Sequence, residues 1–424
     1  MASKTEYLEL VAEQKQTLRS GGEKSVGREA YHRASQLLKS DNRVLVITGM
    51  RRVGKSTLLN QLLSEVNNYS FLNFEDEKLM NFKIEDFNLL NEALIEIYGE
   101  SDYFFFDEIQ NVEGFEVIVR KLQDSGKKVI ITGSNSSLLS MEFGTKLTGR
   151  YVQIELFPFS FAEYLKFKKI KLTKESFLIA QEKVKLKVYF KKWLESGGMP
   201  EYLKYKDVNY LRTLYDNILY RDVIARFNIR RQSTFKELVH TLVNNLTLPV
   251  TFNALKNNLG LSNAETAKEY VHYLTHTYFF YELFCFSNSY KAQLRSPRKV
   301  YLIDNAFHSM ISFSSSENRG RKLENIVHLY YRKTAAKLFY FKEKGECDFV
   351  AFNADNTKEL VQVCYEITAE NKTREINGLV EAMAFFKENK GKIITYDQEE
   401  VIKLPEGEIE VVPAWKFFSQ EINY

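Results

Sequence analysis

The chain has 424 residues, of which 44% are hydrophobic and 14% aromatic, and its formal net charge at pH 7 is +4. This composition excludes a largely disordered chain, and the length predicts about three domains. Because no run of 18 apolar residues occurs in the sequence, we expect no membrane-spanning segment.

The sequence predicts a cytoplasmic protein. The stretch from Met1 to Glu6 lacks the apolar segment of a secretory signal. Cys285, Cys347 and Cys364 show no Cys-x-x-Cys spacing, which favours free thiols in a reducing compartment and argues against structural zinc.

In chain order, residues 1–40 are expected to form a polar helical lead-in. Residues 41–160 alternate between strand and helix patterns and predict a core with a parallel sheet. The strands are predicted near residues 43–48, 69–74, 103–106, 128–132 and 151–156.

The segment from Gly49 to Ser56 matches the phosphate-binding pattern Gly-x₄-Gly-Lys-Ser, between an apolar strand and the start of a helix. Glycines in such a loop let backbone N–H groups face the β-phosphate. Lys55 is expected to contact the β- and γ-phosphates, and Ser56 to bind Mg²⁺. The predicted nucleotide-binding residues are Gly49, Arg51, Arg52, Val53, Gly54, Lys55, Ser56 and Thr57.

Asp107 and Glu108 follow the apolar strand that begins at Tyr103. Ligands of such sheets bind at the carboxyl ends of the strands, so we expect Asp107 to hold Mg²⁺ and Glu108 to activate the attacking water. The alternative for Glu108 is ordinary turn chemistry after a strand. No Asn-Lys-x-Asp pattern for guanine follows, which favours ATP over GTP.

Two further elements complete the expected catalytic set. Ser134 and Asn135 follow the strand near residues 128–132 and are placed to orient the attacking water. Arg150 precedes the last strand, where it is either an arginine finger that acts on a neighbouring subunit or an ordinary surface residue.

The chain resembles prokaryotic AAA-type ATPases that pair a P-loop module with a C-terminal nuclease-like domain of unknown function. The resemblance covers nearly the whole chain and implies that Arg150 acts in trans. The segments that carry it are Ile47 to Ser56, Phe106 to Asn111, Thr132 to Ser136, Gly149-Arg150, Phe157 to Phe161, Gly197 to Pro200, Tyr220 to Val223 and Arg298 to Asp304.

Residues 161–230 are expected to form a helical, lysine-rich lid and residues 231–300 a winged helix. The stretch from Phe279 to Tyr301 alternates like a β-hairpin with a basic tip. This pattern predicts contacts with the backbone of duplex or branched DNA, with the lysines of residues 166–192 as the alternative surface. The alternative reading of the winged helix is a protein-docking module. The DNA-binding candidates are Lys268, Lys291, Arg295, Arg298 and Lys299.

Residues 301–424 are expected to form a separate α/β domain, and the resemblance implies a restriction-endonuclease-like site there. Glu324 and Asp348 stand at two expected carboxylate positions. Gln362 replaces a third carboxylate and Cys364 replaces a lysine. A neutral amide is a weak Mg²⁺ ligand, and a thiol provides no positive charge, so we expect little or no nuclease activity.

The sequence thus predicts an α/β protein with a P-loop AAA-type parallel sheet, a helical lid, a winged helix and a C-terminal nuclease-like domain. The expected activity is Mg²⁺-dependent ATP hydrolysis by a homo-oligomer, a hexamer-type ring, coupled to DNA binding or remodelling. Two alternatives remain open, an ATP-gated assembly switch without motor activity and an ATP-regulated DNA nuclease.

Overall fold

The computed structural model describes residues 3–20, 25–135, 149–312 and 318–419. The chain divides into two compact units, with residues 276–278 grouped with 1–157 in the first and the remainder in the second. Within the described ranges, no helix is both long enough and apolar enough to cross a membrane. Ser136, Leu147 and Thr148, next to predicted site residues, lie outside these ranges.

Five parallel strands form the sheet of the first unit, in the order β2-β3-β4-β1-β5. Their positions match those predicted from the sequence. The strands are β1 (Val44–Thr48), β2 (Tyr69–Asn73), β3 (Tyr103–Asp107), β4 (Lys128–Gly133) and β5 (Tyr151–Glu155). The centre of the sheet is almost wholly apolar because parallel strands of this kind are covered on both faces by helices.

Two of the helices of this unit precede β1, and the others, with short 3₁₀ turns, lie between the strands. The helices are α1 (Lys4–Ser20), α2 (Ala30–Ser40), α3 (Lys55–Leu63), α4 (Phe87–Tyr98) and α5 (Phe115–Asp124). The 3₁₀ turns are Glu77–Leu79, Ile84–Asp86 and Ile109–Asn111.

Helix α1 is part of the first unit's core. Tyr7, Leu10 and Val11 of α1 are buried in the same apolar cluster as Phe104 and Phe106 of β3. Helix α1 therefore stabilises the sheet through apolar burial.

The second unit begins with helices, as predicted for residues 161–230. Ala180 to Ser196 is the longest of these, and a π-helix (Ile218–Ala225) extends the last one. The helices are α6 (Phe161–Phe167), α7 (Ala180–Ser196), α8 (Pro200–Tyr205) and α9 (Val208–Asn217), with a 3₁₀ turn at Lys174–Phe177.

Three of the motifs that carry the family resemblance meet at the turn between α7 and α8. The Asp304 carboxylate accepts a hydrogen bond from the Gly198 N–H at 2.6 Å, and the Phe159 N–H donates to the Gly198 carbonyl at 2.8 Å. A Cβ atom on Gly197 would lie 1.6 Å from Asp304 Oδ1, and one on Gly198 would lie 2.2 Å from the Phe159 carbonyl oxygen. These glycines are required by close packing.

Residues 231–300 contain the three helices and the hairpin expected there. The elements are α10 (Gln232–Asn244), α11 (Phe252–Asn258), α12 (Ala264–His276), β6 (Phe280–Phe284), α13 (Tyr290–Arg295) and β7 (Arg298–Leu302). β6 and β7 pair antiparallel, and the short helix α13 stands at the tip of the hairpin.

A six-stranded mixed sheet, in the order β12-β13-β11-β10-β9-β8, forms the rest of the second unit. The strands are β8 (Lys337–Lys342), β9 (Glu346–Phe352), β10 (Lys358–Val363), β11 (Lys390–Thr395), β12 (Glu400–Leu404) and β13 (Gly407–Pro413). The helices are α14 (Asn305–Ile311), α15 (Arg319–Thr334), α16 (Lys372–Phe386) and α17 (Ala414–Phe417). Val350, Ile393 and Leu379 belong to one buried cluster between the sheet and α16.

The domain boundary predicted at residue 300 falls inside strand β7. The hairpin and the six-stranded sheet are also joined by backbone pairing. The Phe286 N–H donates to the Tyr340 carbonyl at 2.7 Å, and the backbones of Cys285 and Tyr340 form an isolated parallel β-bridge. The hairpin therefore shares hydrogen bonds and core with the six-stranded sheet of the same unit.

Candidate functional site

The loop between β1 and α3 has the backbone of a phosphate cradle. Gly49 and Gly54 adopt φ angles of 141° and 99°, which L side chains rarely adopt. A Cβ atom on Gly49 would lie 2.3 Å from the Leu156 carbonyl oxygen, so only glycine fits. The helix begins at Lys55, and its first N–H groups therefore lie at the end of the loop, where they form an anion site.

Arg28, in the segment before β1, hydrogen-bonds the backbone of the loop. Its guanidinium donates to the Val53 carbonyl at 2.7 Å and to the Phe157 carbonyl at 2.5 Å, and the residue is buried. The hydrogen bonds tie the phosphate loop to the chain beyond β5 and place a positive charge beside the loop backbone. Nothing in the sequence around Arg28 signalled this contact.

The remaining loop residues have more varied surroundings. Arg51 forms an ion pair with Glu75 at 2.8 Å, and Arg52 has a positive φ of 67°. Val53 is buried, and the side chain of Thr57 packs near Gly54. All the nucleotide-binding positions predicted from the sequence thus lie in the loop or in the first turn of α3.

Lys55 and Glu108 form a buried ion pair. Lys55 Nζ lies 3.2 Å from Glu108 Oε1 and 3.3 Å from the Met50 carbonyl oxygen, and the lysine side chain is 3% exposed. An incoming polyphosphate and Glu108 would compete for the same ammonium group. The ion pair therefore links nucleotide binding to the freedom of the Glu108 carboxylate.

A chain of hydrogen bonds through Thr132 fixes Asp107 and Glu108 relative to each other. The Thr132 hydroxyl donates to the Asp107 carboxylate and accepts from the Glu108 N–H at 3.0 Å. Ser56 also hydrogen-bonds Asp107. Thr132 lies in β4, between β1 and β3, so the order of the strands positions this bridge.

Burial raises the pKa of Asp107, and the hydrogen bonds from Thr132 and Ser56 oppose that shift. Burial also acts on Glu108, but the nearby Lys55 charge and the hydrogen bonds from Gln110 and Ser134 outweigh it and lower the pKa of Glu108. Glu108 is therefore ionised near neutral pH, which is the form that a general base requires.

Two further hydrogen bonds fix the position of the Glu108 carboxylate. Gln110 Nε2 donates to Glu108 Oε2 at 2.5 Å, and the Ser134 N–H donates to the same oxygen at 3.2 Å. Glu108 itself has a φ of 50°, a conformation that costs energy for a non-glycine residue and is found often at functional sites. Asn135 is buried directly after Ser134.

The donors beside the loop suit Mg²⁺. The Ser56 hydroxyl and the Asp107 carboxylate are hard oxygen ligands in direct contact with each other, and Mg²⁺ in nucleotide sites uses one or two such ligands together with substrate phosphates and water.

Arg150 lies at the amino-terminal ends of the parallel strands, whereas the loop lies at their carboxyl ends. It precedes β5, whose first residue pairs with Val44 at the start of β1, while the loop follows the end of β1. At about 3.3 Å per residue, the length of β1 separates Arg150 from its own chain's loop. Its half-exposed guanidinium pairs with Asp124 at 2.7 Å. The residue is therefore placed at the surface, away from the cis site.

A second charged cluster lies in the second unit, around Lys299. Lys299 Nζ lies 2.7 Å from Asp348 Oδ1, 2.9 Å from Glu346 Oε1 and 3.1 Å from Glu324 Oε1. The Tyr301 hydroxyl donates to Glu324 at 2.9 Å. The three protons of the ammonium match these three carboxylates.

Burial sets the ionisation of this cluster. It raises the pKa of Glu324 to about 7 against the opposing Lys299 charge, and it raises the pKa of Asp348 in the same way. The carboxylates around Lys299 hold the pKa of the lysine well above its usual value despite its burial. Lys299 is therefore a permanent cation at the centre of the cluster.

Gln362 and Cys364 lie beside the cluster. Gln362 Oε1 accepts the Asp348 N–H at 3.1 Å, while its Nε2 donates to Glu375 at 2.8 Å. Burial raises the pKa of Cys364 to about 11, so the thiol is protonated. The structure thus brings Glu324, Asp348 and Gln362 together as the resemblance implied, with Cys364 adjacent and uncharged.

Two of the five predicted DNA-contact residues are not available for DNA. Lys299 is 1% exposed within its cluster. Arg298 pairs with Glu282 at 2.6 Å, and its side chain is only 11% exposed. The prediction was wrong at these positions because both residues belong to strand β7, where side chains on either face are packed. Lys268 pairs with Glu265 at the surface, and Lys291 and Arg295 are exposed on α13.

Sequence reasoning did not identify Lys299 or Glu346 as members of this cluster. One signal was present, because Lys299 and Tyr301 are two residues apart in a strand and therefore face the same side. Tyr301 stands in a run of apolar residues, so its side of the strand is expected to be buried. Thr132 and Gln110 lie in two of the segments that carry the family resemblance, but no local pattern indicated their contacts.

Two family models match the chain. Residues 41–165 match the AAA domain, and residues 188–318 match a domain of unknown function, DUF8612. The solved structure of the Walker-type ATPase Paby2304 of Pyrococcus abyssi aligns with a TM-score of 0.45 at 15% identity, covering 68% of this chain and 96% of that one.

Relatives match over nearly the whole chain, and two of them are at least 30% identical to it. The uncharacterized protein MJ1544 of Methanocaldococcus jannaschii is 38% identical over 395 residues, which are 89% of this chain and 88% of the relative. An uncharacterized protein of Haemophilus influenzae is 30% identical and covers 89% of this chain and 95% of its own length. The chain therefore belongs to the family of these two proteins and carries an AAA-type P-loop domain at residues 41–165.

Proposed function

We propose that this protein is an ATPase that acts as a homo-oligomer, a hexamer-type ring, and couples ATP hydrolysis to binding or remodelling of DNA. The observation that carries the ATPase proposal is the convergence of the glycine cradle, Lys55, Ser56, Asp107 and Glu108 at one edge of a parallel sheet. ATP is the substrate, with Mg²⁺ held by Ser56 and Asp107.

The chemistry needs an anion cradle, charge neutralisation and a base. The loop N–H groups and Lys55 bind the β- and γ-phosphates, and Mg²⁺ when bound adds charge neutralisation of the phosphate oxygens. Glu108 accepts a proton from the attacking water, with its carboxylate held by Gln110 and Ser134. Arg150 from a neighbouring subunit is proposed to stabilise the charge of the transition state.

The Lys55–Glu108 ion pair favours a second candidate function, an ATP-gated assembly switch. A base that is paired with the phosphate-binding lysine is restrained until phosphates draw that lysine away. Such coupling suits slow turnover in which binding, more than hydrolysis, changes the protein. Turnover that is strongly stimulated by DNA would favour remodelling, whereas slow turnover that is indifferent to DNA would favour the switch.

The DNA partner is proposed from charge. Lys291 and Arg295 are exposed on α13 at the tip of the β6–β7 hairpin, and helices α10 to α12 precede the hairpin in the order of a winged helix. Exposed cations at such a tip suit contacts with DNA phosphates, which are largely independent of sequence.

The C-terminal cluster is proposed to be an inactive nuclease-like site. Lys299 already pairs with Asp348, Glu324 and Glu346 at 2.7–3.1 Å, so a divalent cation would have to displace a buried ammonium. The Gln362 amide also donates a hydrogen bond to Glu375. The cluster is better suited to join β7, α15 and β9 than to cleave phosphodiesters.

The ATPase assignment predicts different defects for two substitutions. Lys55→Ala should lose nucleotide binding because the β- and γ-phosphate charges are left unpaired. Glu108→Gln should bind ATP but not hydrolyse it, since only water activation is removed. Binding of a fluorescent ATP analogue and phosphate release, each with and without duplex, single-stranded and branched DNA, measure both. Hydrolysis by Glu108→Gln at the wild-type rate would exclude Glu108 as the base.

Arg150→Ala should bind ATP normally and hydrolyse it about 10³- to 10⁵-fold more slowly, the usual contribution of an arginine finger. Mixing Arg150→Ala subunits with Glu108→Gln subunits should restore part of the activity, because some interfaces then contain one intact base and one intact finger. Asp124→Ala is the matched control, since it removes only the surface partner of Arg150. No recovery in oligomers shown to be mixed would contradict action in trans.

Purified protein should show no robust Mg²⁺- or Mn²⁺-dependent cleavage of duplex or branched DNA. Gln362 and Cys364 lack the negative and positive charges that such a site needs. The double change Gln362→Glu with Cys364→Lys restores both charges and should raise metal affinity even if turnover stays low. Clear cleavage by the wild type, abolished by Asp348→Ala, would make the nuclease the preferred function.

Lys299→Met should lower the free energy of unfolding by about 3–5 kcal/mol, because the buried carboxyl groups of Glu324 and Asp348 lose the cation that lies 3.1 and 2.7 Å from them. The loss should shrink as the pH falls toward 5, since protonation of the carboxyl groups removes the unbalanced charge. Urea unfolding at several pH values measures both effects. Lys342→Met is the control, because Lys342 pairs with Glu346 at the surface and such pairs contribute about 1 kcal/mol or less.

A further inference from the structure

Two cavities of about 610 and 310 Å³ adjoin each other on the second unit, at the carboxyl end of α7. Glu195 lines both, which makes them neighbours. The larger is lined by Tyr164, Lys168, Tyr189, Lys192, Glu195, Ser196, Tyr202 and Lys206. The smaller is lined by Lys191, Leu194, Glu195, Asn318, Arg319, Lys322, Tyr365 and Tyr396.

The larger cavity has an unbalanced positive charge. Among the described residues, no carboxylate lies within ion-pair distance of Lys168, Lys192 or Lys206, and Glu195 is the single acid in the lining. Burial together with the charges of Lys168 and Lys192 lowers the pKa of Lys206. Three like charges around one cavity repel each other, and an anion inside the cavity would relieve that repulsion.

Each of these lysines lies against a tyrosine ring. The ammonium nitrogens of Lys206 and Lys192 are 5.2 and 6.0 Å from the ring centres of Tyr202 and Tyr189, and that of Lys168 is 5.8 Å from the ring centre of Tyr164. Tyr189 and Tyr202 are partly exposed. Each of the three lysines therefore has an aromatic ring within 6.0 Å of its ammonium nitrogen.

The smaller cavity repeats this pattern. The rings of Tyr365 and Tyr396 stack with centres 4.8 Å apart, and the Arg319 guanidinium lies 5.9 Å from the Tyr365 ring centre. Lys191 and Lys322 add two more cations. The Ser196 hydroxyl in the larger cavity is buried and has no hydrogen-bond partner among the described residues, so a polar ligand would satisfy it.

An acidic peptide or free phosphate would need the cations but not the aromatic rings. A nucleic-acid strand needs both, since its phosphates follow a basic groove while its bases stack on aromatic side chains. A duplex hides the faces of its bases, so the rings favour an unpaired strand. We propose that the two cavities form one groove that binds single-stranded DNA, with phosphates on the lysines and bases on the tyrosines.

This inference rests on the proposed DNA partner and narrows it to an unpaired strand. Binding is measured with the full chain, without nucleotide, so a failed ATPase proposal does not affect the result. The probe is a fluorescein-labelled single-stranded DNA of mixed sequence, followed by anisotropy over a series of salt concentrations. Unlabelled duplex DNA, RNA of the same sequence and polyglutamate are the competitors.

Replacing Lys168, Lys192 and Lys206 by alanine should weaken binding and lower the slope of log affinity against log salt by about 2, since each phosphate contact to a single strand contributes about 0.7. The matched control replaces Lys337, Lys344 and Lys403, which are exposed lysines of the same unit that line neither cavity. The control has the same charge change and should keep the wild-type slope.

Tyr202→Leu should weaken binding about tenfold, within the range measured for loss of one base stack, whereas Tyr202→Phe should bind like the wild type. Glu195→Gln should bind more tightly because the only acid of the groove is removed. Thermal unfolding of each variant checks that the fold is retained.

Equal losses in the two triple variants would overturn the groove assignment, as would a wild-type affinity in both Tyr202 variants. Tighter competition by duplex DNA, RNA or polyglutamate than by single-stranded DNA would overturn the choice of ligand. Failure of these tests with normal ATP hydrolysis would reject the groove alone, whereas normal strand binding by a protein without ATPase activity would reject the proposed enzymatic function alone.

Discussion

The order of the strands in the first unit brings the residues of the nucleotide site together. β4 lies between β1 and β3, and all three run parallel, so their last residues meet at one edge of the sheet. The loop follows β1, Asp107 ends β3, and Thr132 of β4 bridges Asp107 to the Glu108 backbone. A change in strand order would separate residues that are more than 50 positions apart in the chain, and no local interaction could bring them back.

The same constraint places Arg150 far from its own site. Because β5 pairs with β1 in parallel, the residue before β5 lies beside the start of β1, whereas the loop follows the end of β1. The half-exposed Arg150–Asp124 pair is a surface ion pair of the kind that contributes little to stability, so breaking it at a subunit interface would cost little. Oligomerisation and ATP hydrolysis are thus connected in the proposed function through one arginine, while Arg28 keeps the loop backbone fixed within the subunit.

The second unit uses its charges in two different ways. Around Lys299 the ammonium group is buried and lies at hydrogen-bonding distance from three carboxylates, which stabilises one arrangement and leaves the ammonium group without a free donor. Around Lys168, Lys192 and Lys206 the cations have no carboxylate at ion-pair distance among the described residues and lie against tyrosine rings. Buried, matched charge suits a structural role, whereas partly exposed, unmatched charge suits binding of an anionic partner. This difference, more than the number of lysines, separates the two regions.

The sequence by itself determined the local features: the five strands, the loop from Gly49 to Ser56, the carboxylates after β3 and the helices before the hairpin. These follow from short-range patterns of apolar residues, glycines and charges. Only the tertiary structure decided which charges are matched. Lys299 and Arg298 looked like exposed cations of a hairpin tip, but β7 pairs with β6 and packs near α15 and β9, which buries Lys299 among three carboxylates. The contacts of Arg28 and Thr132 were likewise not evident from the sequence, because their partners are 24 or more residues away. The physical reason is that burial and ion pairing depend on contacts between distant segments. A local pattern determines which side chains share one face of a strand or helix, but it does not determine which residues pack against that face.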